Sequence, residues 1–293
     1  MRVLDLFSGI GGFSLGLERA GMETVAFCEF DKHARKVLEK HWPNVPIHED
    51  VRTLDGKQYR GAVDVVCGGF PCQDISIAGK NAGINGDKSG LWSEYKRIIN
   101  EARPRFAIIE NVSAFLGRGL SCVLSDLAEI GYDATYTTFD SQFFGVPQRR
   151  RRVYIVAVRD GIPADADLFQ TEQRTIEKCG EQMDHHIEGR KRDTSPREGK
   201  RKGFAFFTRQ RSDQFDELGV SGTLAKRDYK SFTDLVIGPD NILRRVTPKE
   251  RMLLQGFPSD WLDDLNLSNQ QLFSFNGMTV PAVQHIGGLL YDF

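Results

Sequence analysis

Short apolar runs that stop abruptly at a glycine, an acid or a proline recur along this chain of 293 residues. Residues 3–7 run into Ser8-Gly9-Ile10-Gly11-Gly12-Phe13 and then a helical stretch through Ala20-Gly21. Residues 24–28 end in Glu29-Phe30-Asp31, and residues 46–51 close another short strand on a carboxylate. Residues 63–67 open into Gly68-Gly69-Phe70-Pro71-Cys72-Gln73, and residues 106–109 end at Glu110-Asn111-Val112. Continuous apolar runs of this kind read as parallel strands buried on both faces. Between them, Leu91-Trp92 opens a helix over 93–102, and residues 121–130 are amphipathic with Gly131 as the natural C′ residue. Strands over 136–139 and 153–157 follow. The pattern predicts an α/β fold on a doubly wound, mostly parallel sheet.

Ligands of open α/β sheets gather beyond the carboxyl ends of the strands, so those ends are where chemistry is sought. Cys67, inside an apolar run, reads as a core cysteine. Cys72 follows a proline and precedes Gln73-Asp74, which is loop chemistry and points to a functional thiol. The glycines after the first strand let backbone N–H groups approach a ligand at a helix N-terminus. They match neither the dinucleotide fingerprint nor a P-loop. Glu29 follows them by about twenty residues, where an acid accepts ribose hydroxyls. Phe30 beside it offers an adenine-stacking face, and Asp50 ends the third strand. Without a P-loop lysine, an adenosyl ligand lacking phosphates fits this turn best. Glu110, directly after four apolar residues, is poorly explained by packing. A carboxyl at the mouth of a partly apolar pocket can exchange a proton near neutrality. The alternative is a surface acid.

Composition limits what such groups serve. Five cysteines, an odd number with no CxxC pair and no secretory leader, argue against a disulfide framework or structural zinc and for a reducing compartment. No apolar run approaches the roughly eighteen residues of a membrane span. Net charge is −1, so global charge proposes no nucleic-acid partner, but local charge does. Four arginines, Arg149 to Arg152, precede the strand at 153–157; strand alternation puts Arg150 and Arg152 on one face and Arg149 and Arg151 on the other. Beyond Asp160 the composition shifts. Residues 163–188 are polar and weakly periodic, and residues 190–211 are rich in Lys, Arg, Gly and Ser, suited to phosphate contact.

Asp5-Leu6-Phe7-Ser8-Gly9-Ile10-Gly11-Gly12-Phe13, Phe70-Pro71-Cys72-Gln73, Glu110-Asn111-Val112 and Gln148-Arg149-Arg150-Arg151-Arg152, in that order and spacing, resemble the DNA (cytosine-5)-methyltransferase family. Arg244-Arg245-Val246-Thr247-Pro248-Lys249-Glu250 and Leu254-Gln255-Gly256-Phe257-Pro258 extend the resemblance towards the C-terminus, where Thr247 also reads as an N-cap, Pro248 as the first helical residue and Glu250 as the partner in a capping box. The resemblance implies a Rossmann-like, S-adenosylmethionine-dependent methyltransferase fold. Its domains would be a catalytic and cofactor-binding domain over 1–162, a small target-recognition domain over 163–262, and a segment 263–293 returning to the first. Cys72 would attack cytosine C6, Glu110 would bond N3 and the amino group, Arg152 would contact O2, and Arg150 would support the site. The cofactor would lie against Phe7, Gly9, Ile10, Gly11, Gly12, Glu29, Phe30, Asp50, Val51, Pro71, Leu91, Met278, Thr279 and Val280. Double-stranded DNA would meet Gln73, Ser76, Lys80, Gln148, Arg209, Arg211, Thr223, Lys226 and Arg227, with residues 74–83 closing as a lid. No metal is required.

Gly277-Met278-Thr279-Val280 departs from the Gly-Asn-Ala/Ser-Val of the family, and a methionine cannot make the bonds of an amide. Weaker cofactor affinity, altered cofactor preference and reduced activity are the three consequences open. The rival readings are a tRNA cytosine-5-methyltransferase of the same fold and a catalytically weak DNA- or cofactor-binding homologue. The simple architecture implies a monomeric, cytoplasmic protein of bacterial or phage origin, with room for a cognate restriction endonuclease.

Overall fold

The structure, a computed structural model, describes residues 1–71, 90–161, 205–208, 221, 223, 234–237, 242–268 and 277–291. Seven strands form the main sheet: β1 (Arg2–Leu6), β2 (Glu23–Cys28), β3 (Ile47–His48), β4 (Val65–Gly68), β5 (Phe106–Val112), β6 (Tyr132–Asp140) and β7 (Arg151–Arg159). Their order is β3-β2-β1-β4-β5-β7-β6, parallel from β3 to β5, with β7 antiparallel to both β5 and β6. This is the doubly wound, mostly parallel sheet that the apolar runs predict. The chain reverses its direction of winding between β1 and β4, and a ligand crevice belongs at that switch point.

Period-two alternation along each strand divides the core into two layers. Leu4, Leu6, Val66, Ile109 and Ile155 face helices α3 (Gly90–Ala102) and α4 (Leu120–Glu129) through Trp92, Tyr95, Ile98, Val123 and Leu127. Val3, Val65, Cys67, Ile108 and Val156 face the other side, where Phe13 and Leu17 of α1 (Gly12–Arg19) meet Val283 and Ile286 of the C-terminal helix (Val280–Tyr291). Cys67 is fully buried, as a core cysteine should be, and burial pushes its thiol well up. Gly16 permits the close approach of the two helices, since a Cβ there would lie 2.7 Å from Val283 Cβ.

Helix α2 (Lys32–His41) is capped by Asp31, which accepts from His33 N at 2.7 Å. Helix α5 (Pro248–Leu254) begins with the capping box read from the sequence: Thr247 Oγ1 accepts from Glu250 N at 3.2 Å and Glu250 Oε2 accepts from Thr247 N at 2.8 Å. Residues 248–262, within the span expected for the small domain, pack on the main one. Met252, Phe257, Trp261 and Leu262 share a core cluster with Ile10, Ala34 and Val37. The C-terminal helix becomes α6 in this count. A separate three-stranded antiparallel sheet joins β8 (Ala205–Thr208), β9 (Asp234–Ile237) and β10 (Leu243–Arg245). Among the described residues no helix is long and apolar enough to cross a membrane.

Three strands run longer than the apolar pattern indicates. β5 continues through Glu110 and Asn111 because antiparallel β7 pairs with it as far as Val112↔Arg152. β6 and β7 likewise extend together, from Tyr132↔Arg159 to Asp140↔Arg151. Antiparallel pairing supplies hydrogen bonds to polar residues that hydrophobicity alone leaves outside a strand.

Candidate active site

Leu6, Cys28, Gly68 and Ile109 stand level across β1, β2, β4 and β5, so everything just beyond them gathers at one edge. After β1 the backbone enters the left-handed region at Phe7 (φ 54°), Gly9 (φ 55°) and Gly11 (φ 85°). Gly11 N closes the turn onto Ser8 O at 2.9 Å. A Cβ on Gly9 would meet nothing within 4 Å, so this side of the turn is open. Glu29 braces it from β2: its carboxylate accepts from Gly9 N at 2.6 Å and from Asp31 N at 2.7 Å. Phe30 next to it is 73% exposed, with the Arg52 guanidinium 6.0 Å from its ring centroid. Asp50 takes Arg52 in a two-oxygen grip at 2.6 and 2.9 Å, and those bonds hold its carboxyl below the usual range.

Glu110 lies one residue past the level of Gly68, nearly buried, between two guanidinium groups. Arg152 Nε is 3.1 Å and Arg150 Nη2 3.9 Å from its Oε1. The nearer contact is a charge pair without hydrogen-bond alignment, so among the described residues buried Oε1 accepts no hydrogen bond. A Cβ on Gly69 would fall 2.9 Å from Oε2 of Glu110, so a side chain there would make this carboxylate shift. Asn111 Nδ2 donates to Phe70 O at 3.4 Å, fastening β5 to the turn that leads into Pro71, which is exposed. Cys72, Gln73, Ser76 and Lys80 lie outside the described residues, as do Arg209, Arg211, Lys226 and Arg227.

Met278 closes the space between the two halves of this edge. Its Cβ would be 2.7 Å from a Cβ on Gly12, its Cε 3.6 Å from one on Gly69, and its sulfur accepts the Tyr154 hydroxyl at 3.6 Å. Tyr154 is the cross-strand neighbour of Glu110. Thr279 is fully buried and shares a 2.7 Å hydrogen bond with Ser141 Oγ, which donates to Arg150 O at 3.1 Å. Val280 N donates to Gln255 O at 3.0 Å. The C-terminal segment thereby props the arginine strand from behind.

Other residues expected to meet a ligand lie wholly or partly inside the protein. Gln148, expected at the DNA, is fully buried, and neither amide atom has a hydrogen-bond partner among the described residues. Its backbone bridges Ser221, whose N–H donates to Pro147 O and whose carbonyl accepts from Arg149 N, both at 2.8 Å. Thr223 spends its hydroxyl proton on Arg149 O at 2.9 Å. Ile10 is buried and accepts from Trp261 Nε1 at 3.0 Å. Val51 is buried with its carbonyl on Arg97, and Leu91 packs on the core. Asp5 was missed as a buried charge, although an acid interrupting the apolar run Val3-Leu4-Leu6 is a legible signal. It is fully buried, accepts from Ser14 Oγ at 2.8 Å and from Ser14 N at 3.3 Å, and has the Cys67 thiol as a further neutral partner. Burial raises its carboxyl to about 7, and Glu29 pushes the same way.

Comparisons with known proteins bear on the family and the fold. The profile of the family described as C-5 cytosine-specific DNA methylase matches residues 1–291. Type II methyltransferase M.NgoBI of Neisseria gonorrhoeae is 30% identical over 97% of this chain and 90% of its own length. Type II methyltransferase M2.BsuMI of Bacillus subtilis is 42% identical over 58% of this chain; that match, like the one to M.Eco47II of Escherichia coli, spans less than half of the relative (45% and 41%). Among solved structures, the Entamoeba histolytica methyltransferase EhMeth superposes with a TM-score of 0.72 at 17% identity, covering 100% of this chain and 98% of its own. Dnmt2 of Spodoptera frugiperda gives 0.70 at 16%, covering 99% of both chains. The structural likenesses establish the doubly wound, Rossmann-like fold, and the profile match over nearly every residue establishes that this chain belongs to the C-5 cytosine-specific DNA methylase family.

Proposed function

We propose that this protein transfers a methyl group from S-adenosylmethionine to C5 of a cytosine extruded from duplex DNA. The observation that carries the reading is Glu110, held nearly buried between Arg150 and Arg152 with Oε1 unsatisfied, beside the Gly69-Phe70-Pro71 turn that leads into Cys72. A stacked base offers no path for attack on its face, so the base must leave the helix first.

The Cys72 thiolate adds to C6, and the π electrons of the C5–C6 bond move toward C5 and the ring carbonyl. Glu110 hydrogen-bonds N3 and the exocyclic amine, and Arg152 meets O2, where negative charge develops. After C5 is methylated it loses its proton, the double bond returns and Cys72 departs. Arg150 keeps Glu110 and Arg152 in place.

The cofactor pocket is supported by features that suit an adenosyl group. The open side of Gly9 leaves room beside the turn, the Glu29 carboxylate stands next to that turn at the end of β2, and Phe30 presents an exposed aromatic face. Asp50, Val51, Pro71, Leu91 and residues 278–280 complete the lining. S-adenosylmethionine, when bound, supplies the electrophilic methyl group.

Residues 163–246 serve as the target-recognition region, a boundary supported by the packing of 248–262 on Ile10 and α2. A cytoplasmic setting and a cognate restriction endonuclease belong to the same reading, supported by the bacterial Type II relatives. Incubation with methyl-labelled S-adenosylmethionine and either mixed-sequence duplex DNA or tRNA, followed by nucleoside analysis, tests the proposal. Label in 5-methyldeoxycytidine is the expected result; label only in tRNA, or in neither, overturns it.

A further inference from the structure

The end of the sheet away from Glu110 gathers a second group of arginines that no step above uses. A cleft of about 530 Å3 opens there, lined by Arg60, Arg103, Arg105 and Arg159 together with Asp64 and Asp160. Asp64 and Arg105 precede β4 and β5, whose far ends carry Gly68 and Glu110, and Arg159 closes β7, which runs the other way. The four residues of β4 alone separate the two ends by roughly 13 Å.

None of the four guanidinium groups has a carboxylate within 4.0 Å among the described residues. Backbone carbonyls hold three of them: Arg60 donates to Glu101 O at 2.9 Å, Arg159 to Arg103 O at 2.5 Å, and Arg103 to Ile130 O. Arg105 lies over the Phe106 ring at 5.2 Å, and its side chain makes no hydrogen bond among the described residues. Carbonyls orient a guanidinium without neutralising it. Asp64 is shared with Arg2, which donates its N–H at 2.7 Å. Positive charge therefore exceeds negative around the cleft, and an anion lowers that repulsion. Arg103 is also held at φ 52° just before Pro104, a sparsely populated conformation of the kind that accumulates at ligand sites.

We propose that this cleft binds a phosphate-bearing anion. Guanidinium forks match phosphate oxygens in pairs, and the volume falls in the range of roughly 300–1,000 Å3 typical of small-ligand sites. The phosphoryl group comes either from a free polyphosphate or nucleotide or from a nucleic-acid backbone, since the recognising chemistry is the same.

Titration calorimetry of the full chain with pyrophosphate tests the site. Arg105→Gln is the informative variant, because that side chain holds no other element in place; Arg60→Gln stands in if the first variant melts lower than the natural chain. The expected result is pyrophosphate binding that weakens about tenfold or more on substitution. Displacement of the Arg105-dependent pyrophosphate by a short duplex would assign the cleft to a nucleic-acid backbone, and failure to displace it to a small phosphorylated molecule. Absence of binding at low millimolar pyrophosphate, or binding unchanged in the variants, overturns the proposal.

Discussion

Glu110 and Asp5 are both buried carboxyl groups, and they differ in whether a cation stands beside them among the described residues. Two guanidinium groups flank Glu110 at the edge of the sheet. Asp5 sits beneath the glycine turn with neutral partners, Ser14 and Cys67, and no cation beside it among the described residues. Burying a charge is costly unless it is paired, and a group without a pair raises its pKa instead. That is the state of Asp5, whose carboxyl is raised to about 7. The comparison teaches that the fold provides compensation at the carboxyl proposed for chemistry and leaves it out where a carboxyl ties a turn to its strand.

The sharpest way to break this contrast is Glu110→Gln. It keeps the shape but removes the charge facing Arg150 and Arg152 and the ability to exchange a proton, so kcat for methyl transfer should fall by about 10²–10⁴-fold, as for loss of a general acid or base. An unchanged kcat would mean that the pair is structural.

Asp5→Asn probes the other carboxyl through stability. With its pKa raised in the folded state, Asp5 keeps its proton between roughly pH 4 and 7 while the unfolded chain loses it. Its contribution to stability therefore falls as pH rises through that window and levels off above about 7. The full effect is at most about 4 kcal/mol, from roughly three pH intervals at about 1.4 kcal/mol each. Denaturant unfolding of both proteins from pH 4 to 8 should give a stability difference that shifts in favour of Asp5→Asn as pH rises. Reading the difference cancels Asp50, Asp126 and Glu250, whose pKa values are lowered, chiefly by Arg52, Lys96 and Arg244. A pH-independent difference would show that Asp5 shares its charge with a partner.

The smallest effect belongs to Met278, which stands between the turn that Asp5 supports and the glycine that admits Glu110. Met278→Asn restores an amide there. One recovered hydrogen bond is worth about 1 kcal/mol, so S-adenosylmethionine affinity should rise by roughly three- to tenfold. Equal dissociation constants would show that this position does not touch cofactor binding.

Much of this architecture was legible in local pattern. Apolar runs ending in Gly, Glu or Pro marked the parallel strands, Gly131 closed α4 with φ 77°, and Thr247 with Glu250 announced the start of α5. Features set by distant partners were not legible. The extension of β5 past Ile109 depends on β7, some 40 residues later, and so does the pairing of Glu110 with Arg152. Gln148 was expected at the DNA, but it is buried where its backbone bridges Ser221, a partner distant in the sequence. The opposite outcome at Asp5 has a similar origin, because no single run of sequence tells whether a buried acid will find a cation.

The most direct test of the central claim uses duplex DNA containing 5-fluorocytosine with the protein and S-adenosylmethionine, because fluorine at C5 blocks the final loss of a proton. The account predicts a protein–DNA adduct that survives denaturation, needs the cofactor and disappears in Cys72→Ser. An adduct that persists in Cys72→Ser, or none on any duplex that the protein methylates, would contradict it.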